Sequence, residues 1–369
     1  MALGRIVNGI CYDGFPAPYD PSTANQTCIF FGSDAAYDAM KPLWGASYTS
    51  SSGSSCGTGG AKCRHDLKVM ADLGVQLIRL YDWDPRNPHH DFLNECNELN
   101  MGVLVSVSNY FLQADAGYPD RATKIPALLR SFANHAGTDY HPIIAGVVFG
   151  NELAGYGAEQ CVTFTQDWVR LETSVFPKPR RVRLGHPVQF AKFGARFPCF
   201  GFWDQLLPPL KADPAIAPRL FLAPQTYNDA AYLFQNAENS GVGWVDQAWQ
   251  AYATPILFTE IGLDRTQANY QKTVHDQLQG VQVYNKAHPD RLLASCFFQY
   301  ADKVWMEGTS EGSFGVFSHT SSIICTIRYT AKDFTHWEVN CDGNTLNVDE
   351  LAQTGLYQPV TAVYRSQGS

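Results

Sequence analysis

Val147-Val148-Phe149-Gly150-Asn151-Glu152 is the stretch that decides the reading of this chain. An apolar run rich in β-branched residues, from Ile143 to Phe149, stops at a small residue and then presents an amide and a carboxylate. That is the profile of the carboxyl end of a buried parallel strand, which must be apolar on both faces until it reaches the site it serves. Pro255-Ile256-Leu257-Phe258-Thr259-Glu260 repeats the pattern and is followed by Ile261-Gly262. An isolated glutamate after an apolar run is ordinarily a helix-cap neighbour or an ion-pair partner. Two of them, each at the top of a strand, point to a pair of acids facing one cleft.

Working outward, strand and helix patterns alternate along most of the chain. Arg5 to Tyr12 reads as a first strand, Val75 to Tyr81 as a second and Val103 to Val107 as a third. The apolar run ending at Phe149 is the fourth, with Val182 to Gly185, Leu220 to Ala223, Pro255 to Thr259 and Leu292 to Gln299 as the fifth to eighth. Amphipathic segments lie between them, such as Lys62 to Leu73, which stops at Gly74, and Asn269 to His288. Alternation of this kind predicts parallel pairing through right-handed crossovers. Eight strands predict a (β/α)8 TIM barrel, and the phosphate loop of a doubly wound open sheet is missing. A barrel absorbs 369 residues as one domain. Two stretches fall outside the pattern. Residues 13–60 form a long loop insertion after strand 1, rich in Gly, Pro, Ser and Tyr, with Cys28 and Cys56 available to pin it. Residues 315–356 carry Cys325 and Cys341 around an alternating stretch and are expected to form a disulfide-pinned β-ribbon near the C-terminus. Asp342-Gly343-Asn344 is its hairpin signal, and Gln358 to Arg365 is a candidate final helix.

Composition narrows the function. The net charge is -8, which argues against nucleic acid or an anionic membrane surface as partner. Apolar residues are interrupted too often for a membrane span. Ten cysteines without a CxxC pair indicate disulfides in an oxidising compartment rather than a zinc or redox site. The Asn25-Gln26-Thr27 sequon agrees with secretion or a cell-wall location. The opening Met1-Ala2-Leu3-Gly4-Arg5 lacks an apolar leader core, so the sequence reads as a form from which the leader is missing. Aromatic residues make up 13%, enough to fill a core and still leave rings for stacking on sugars. Gly53-Ser54-Ser55-Cys56-Gly57 fits a nucleophile-elbow pattern only literally, since it lies in a Ser/Gly-rich loop. His89-His90 reads as a surface pair at a helix start rather than a metal site, and no metal or organic cofactor is implied by the rest of the sequence.

In a (β/α)8 enzyme the site lies at the carboxyl ends of the strands, which puts Glu152 and Glu260 across the mouth from one another. Retaining glycoside hydrolysis needs such a pair. One carboxyl protonates the leaving oxygen and the other attacks the anomeric carbon. Asn151 can hydrogen-bond a sugar 2-hydroxyl. Tyr81 and Asp82 end the second strand, Asn109 and Tyr110 end the third, and all four can reach the cleft. Trp305, in the loop beyond the eighth strand, is a candidate stacking platform.

Gly150-Asn151-Glu152 together with Thr259-Glu260-Ile261-Gly262 resembles the retaining clan of (β/α)8 glycoside hydrolases. Within it, Cys63-Arg64-His65-Asp66-Leu67, Leu73-Gly74-Val75-Gln76-Leu77-Ile78-Arg79-Leu80-Tyr81 and Asn94-Glu95-Cys96 are similar to the β-1,3-glucanosyltransferases of glycoside hydrolase family 72. Ile78-Arg79-Leu80-Tyr81-Asp82 and the two Glu motifs are also similar to the family 17 β-1,3-glucanases, which lack the cysteine pair. The resemblance is continuous from Cys63 to Ser108 and patchy over the rest of Arg5 to Ala301. It implies Glu152 as acid/base, Glu260 as nucleophile, Tyr227 as the tyrosine that bonds the nucleophile, Tyr300 as a substrate-side aromatic and a Cys63–Cys96 disulfide. Gln299 stands where family 72 carries a second carboxylate, and both insertions are foreign to that family. The expected function is a retaining glycosidase or transglycosylase on β-glucan, with β-1,3 linkages favoured. Its partner is a polysaccharide or oligosaccharide. The competing readings are an endo-hydrolase of another β-linked polysaccharide and a catalytically inactive carbohydrate-binding barrel.

Overall fold

The computed structural model describes residues 8–14, 34–45, 63–112, 120–153, 157–189, 198–303, 308–329 and 344–368. Eight parallel strands close into a barrel in sequence order: β1 (Asn8–Cys11), β2 (Leu77–Arg79), β3 (Gly102–Val107), β4 (Ile144–Phe149), β5 (Arg183–Gln189), β6 (Leu220–Thr226), β7 (Ile256–Ile261) and β8 (Leu292–Phe297). β1 pairs with both β2 and β8, for example Ile10 with Ile78 and with Phe297, so no edge is left open. The helices are α1 (Lys41–Trp44), α2 (Asp66–Leu73), α3 (His90–Glu98), α4 (Asn109–Leu112), α5 (Arg121–Ser131) and α6 (Ala158–Val175). They continue with α7 (Pro198–Lys211), α8 (Ala230–Phe234), α9 (Trp244–Tyr252), α10 (Tyr270–Ala287) and α11 (Tyr357–Tyr364). The expected (β/α)8 barrel is the observed one.

Two hydrophobic layers hold it. Cys11, Leu77, Leu104, Val148, Phe221, Leu257 and Cys296 fill the barrel interior. Ile78, Val103, Phe149, Ile256 and Phe258 face outward into a larger layer shared with the helices. The barrel is therefore a packed plug below its mouth, and chemistry is confined to the strand ends. Gly74 closes α2 with φ +90°, the left-handed cap that the sequence calls for.

A two-stranded antiparallel ribbon, β9 (Phe317–Tyr329) and β10 (Asn344–Gln353), stands apart from the barrel sheet. It is fastened by Asp349, fully buried, which accepts from the backbone of Thr320 and Ser321, contacts His319 at 2.9 Å and lies 3.9 Å from Arg64. Cys325 is disulfide-bonded. Cys28, Cys56 and Cys341 lie outside the described residues. Most of the 13–60 insertion also lies outside them, the sequon and the Ser/Gly-rich loop included, although α1 within it buries Leu43 and Trp44 completely.

The Cys63–Cys96 bond implied by the family resemblance is not formed. Both thiols are free and buried, and both belong to the outer hydrophobic layer. Cys96 lies on the inner face of α3 beside Phe92 and Leu93, where burial pushes its pKa well up and makes it a small apolar filler. Cys63 precedes α2, and burial raises its pKa as well.

Candidate active site

The carboxyl ends of the strands carry the partly exposed polar residues of an otherwise buried barrel. Tyr81, Asp82, Asn109, Asn151 and Tyr227 are half-buried there, and Glu152 is exposed at the rim. Glu260 sits in β7 at 2% exposure, directly across the ladder from Gln225 of β6. Every oxygen of its carboxylate is engaged. Oε1 accepts from Arg79 Nη1 at 2.6 Å and from the Tyr81 hydroxyl at 2.7 Å, and Oε2 accepts from the Tyr227 hydroxyl at 2.7 Å. Burial alone would raise its pKa. The Arg79 charge, the Tyr227 and Tyr81 hydroxyls and the Lys303 charge outweigh that, and the carboxyl ends below its ordinary range. A buried glutamate held ionised and oriented at a strand end is suited to nucleophilic attack.

Arg79 organises more than Glu260. It is fully buried, and its Nη1 also reaches the Thr259 carbonyl at 2.9 Å. Its Nη2 donates to Asn151 Oδ1 at 2.6 Å. Gln225 Nε2 donates to the same Asn151 oxygen at 2.9 Å, while Gln225 Oε1 accepts from the backbone N–H of Glu152. Asn109 clamps the Asn151 backbone from both sides, donating to its carbonyl at 2.9 Å and accepting from its N–H at 2.7 Å. The side-chain oxygen of Asn151 is thus used internally, and its amide N–H groups are the part left to donate to a ligand. The loop that presents Glu152 is a tight one. Gly150 has φ +78°, and a Cβ there would meet Asn109 Oδ1 at 2.5 Å. Glu152 itself has φ +51°, a strained conformation of the kind that gathers at functional sites.

Several expectations meet here. Tyr81, Asn151, Tyr227 and Glu260 form one hydrogen-bonded cluster with Arg79, and Asn109 supports it from behind. Asp82 is at the mouth, where burial raises its pKa to about 7 against the pull of a hydrogen bond with Ser108. Tyr110 lies within α4, but its side chain lies outside the described residues, as does the whole of Trp305. Tyr300 does not face the mouth. It is 3% exposed, and its hydroxyl donates to Asp66 Oδ1 at 3.0 Å beside Tyr12, whose hydroxyl donates to Asp66 Oδ2. Asp66 is fully buried and takes a forked ion pair from Arg64. A carboxylate in that position requires every donor within reach, and Tyr300 is one of them.

The residues missed from sequence are Arg79, Gln225, Asp13 and Lys303. A charged residue inside an apolar strand was the available signal for Arg79, since a buried arginine is almost always paired. Among the described residues no group of His, Cys, Asp and Glu is arranged to hold a metal ion, and no helix is long and apolar enough to cross a membrane.

No family model matches the chain, and no curated protein sequence does. Solved structures do. The chain is similar to Saccharomyces cerevisiae Gas2p in complex with laminaripentaose, with TM-score 0.56 and 13% identity over 97% of this chain and 64% of that one. It is similar to the same protein in complex with laminaritriose and laminaritetraose, with TM-score 0.53 and 12% identity over the same shares of the two chains. The chain therefore spans a little under two thirds of the length of these neighbours. At this identity the likeness is one of fold.

Proposed function

We propose that this protein is a retaining glycoside hydrolase or transglycosylase acting on β-glucan, with β-1,3 linkages preferred. Glu260 attacks the anomeric carbon and Glu152 serves as acid/base. The observation that carries this reading is the Glu260 carboxylate, buried at the end of β7 and engaged by Arg79, Tyr81 and Tyr227. Such a site keeps the carboxylate ionised until an electrophilic carbon arrives. Its hydroxyl and guanidinium partners then stabilise the departing charge when the glycosyl ester breaks. Glu152, exposed on the opposite side of the barrel at the end of β4, is open to the leaving group and to the acceptor that follows it. Asn151, fixed by Arg79, Gln225 and Asn109, donates to the sugar 2-hydroxyl. Asp82, carrying a proton up to about pH 7, adds a second hydrogen-bond donor to the mouth. The choice of β-1,3-glucan is supported by the laminari-oligosaccharides bound to the structural neighbours. A secreted or cell-wall setting belongs to the same proposal, supported by the disulfide at Cys325.

The test is a product profile. The protein is incubated with β-1,3, β-1,4, β-1,6 and β-1,2 gluco-oligosaccharides, and the products are resolved by mass. Products longer than the donor establish transfer, and shorter products alone establish hydrolysis. Glu260→Gln should abolish both while leaving the fold intact. Full activity in that variant would sink the assignment. Binding of every glucan with turnover of none would favour the inactive carbohydrate-binding barrel.

A further inference from the structure

Lys303 follows β8 and Asp13 follows β1, two neighbouring strands of the closed barrel on the Glu260 side of the mouth. Both side chains are largely but not wholly buried, at 17% and 11% exposure. The ammonium lies 3.6 Å from Asp13 Oδ2, too far for a hydrogen bond of ordinary strength. It stands 4.8 Å from the ring centre of Phe298 and 5.5 Å from that of Tyr81, the ring whose hydroxyl binds Glu260. Its charge is close enough to help lower the Glu260 pKa. No hydrogen bond closer than that contact engages Lys303 among the described residues. A lysine placed only for stability would be satisfied by an acceptor or would snorkel to water. This one is held in place by two rings and a distant carboxylate, with donors to spare beside the nucleophile.

We infer that Lys303, held by Asp13, reads a hydroxyl of the sugar bound against Glu260 and selects uncharged glycans. The inference rests on the glycosidase reading above. The charge balance supplies the second half of it. Arg79 is matched by Glu260 and Lys303 by Asp13, so no cationic surplus remains in the pocket to pay for the desolvation of an anionic sugar. A hydroxyl oxygen, by contrast, accepts from an ammonium without disturbing either pair. The position also fixes which sugar is read. Glu152 follows β4, across the barrel, so Lys303 faces the donor sugar that becomes attached to Glu260 and not the departing one.

The experiment compares wild type, Lys303→Met, which keeps a flexible apolar side chain and removes the ammonium, and Lys303→Arg. Donors are aryl β-laminaribiosides, intact or lacking one hydroxyl on the ring that carries the aryl group. Lys303→Met should lower kcat/KM on the intact donor by roughly 10- to 100-fold, the loss expected for one hydrogen bond to a charged group. One deoxygenated donor should cost wild type a similar factor and cost Lys303→Met nothing further. Lys303→Arg should recover part of the loss. A donor bearing a carboxylate at C6 should be turned over far more slowly than its neutral parent by wild type. Labelling of Glu260 by a 2-deoxy-2-fluoro donor, read by peptide mass, separates the two levels of the argument. If wild type is labelled and active but every deoxygenation costs wild type and Lys303→Met equally, the role of Lys303 is refuted and the glycosidase reading stands. Efficient turnover of the carboxylated donor would refute the selection of uncharged sugars. If wild type is neither labelled nor active on any donor, the glycosidase reading fails and this inference falls with it.

Discussion

Arg79→Met removes the group on which the mouth of the barrel depends most. The guanidinium is fully buried and ties three strand ends together, bonding Glu260 at 2.6 Å, the Thr259 carbonyl at 2.9 Å and Asn151 at 2.6 Å. Methionine keeps most of the volume and leaves Glu260 as a buried carboxylate without its closest cation. Breaking a buried pair in this way costs about 3 to 5 kcal/mol. Unfolding entropy of roughly 2 cal/mol/K per residue over 369 residues gives about 0.8 kcal/mol/K, so Tm at pH 7 should fall by about 4 to 6 °C. The sign with pH follows from the depressed pKa of Glu260. A depressed carboxyl contributes stability that is present above its unfolded pKa and is lost as pH falls through the folded one. The Tm gap between wild type and Arg79→Met should therefore be widest near neutrality and close in acid. Activity should respond at the same group. Burial is the largest influence on Glu260 and raises its pKa, so loss of the main opposing charge moves the acid limb of kcat/KM to higher pH. Adding Glu260→Gln to Arg79→Met removes the stranded charge, and the double variant should regain much of the lost Tm. A single variant within about 1 °C of wild type at pH 7, with an unmoved acid limb, would refute the claim that Arg79 holds Glu260 ionised.

Tyr227→Phe deletes the donor to Glu260 Oε2 and should lower kcat/KM by roughly 10- to 100-fold with little change in Tm, as steady-state kinetics and thermal denaturation would show. Gly150→Ala places a Cβ against Asn109 at φ +78°, and should cost about 1 to 3 kcal/mol and cut kcat by displacing Asn151 and Glu152. A wild-type kcat in that variant would mean that the loop has no strict geometry to protect. Asp82, raised by burial to about 7, binds a proton in the folded state that the unfolded chain has already released. Its contribution to stability therefore falls as pH rises from about 4 to about 7, and Asp82→Asn should flatten that part of a Tm-against-pH curve.

The strands were legible because a parallel strand buried on both faces has almost no choice of residue, so the first polar group after an apolar run marks its carboxyl end. That rule alone places Glu152, Glu260, Tyr81 and Asn109 around one mouth. Arg79 obeys the same rule in reverse, as a charge inside such a run, yet its acceptors on Asn151 and Glu260 lie 72 and 181 residues away. Nothing local to β2 names them. The free Cys63 and Cys96 show the limit of a motif carried over from a family, since matching cysteines do not by themselves make a bond.

Tyr300 and Lys303 show why the residues after β8 could not be assigned from sequence. Both follow the same strand, and by residue type the aromatic is the better candidate for a sugar contact. The decision is made elsewhere, by Asp66 at the first turn of α2. A fully buried carboxylate without bonded donors would cost several kcal/mol, far more than one ring stacked on a sugar returns. Arg64, Tyr12 and Tyr300 together satisfy both oxygens of Asp66. With Tyr300 drawn away from the mouth, the space beside Tyr81 and Phe298 falls to the next long side chain of that loop, Lys303. The need of one acid on the outside of the barrel thus determines which residue stands beside the acid at its centre.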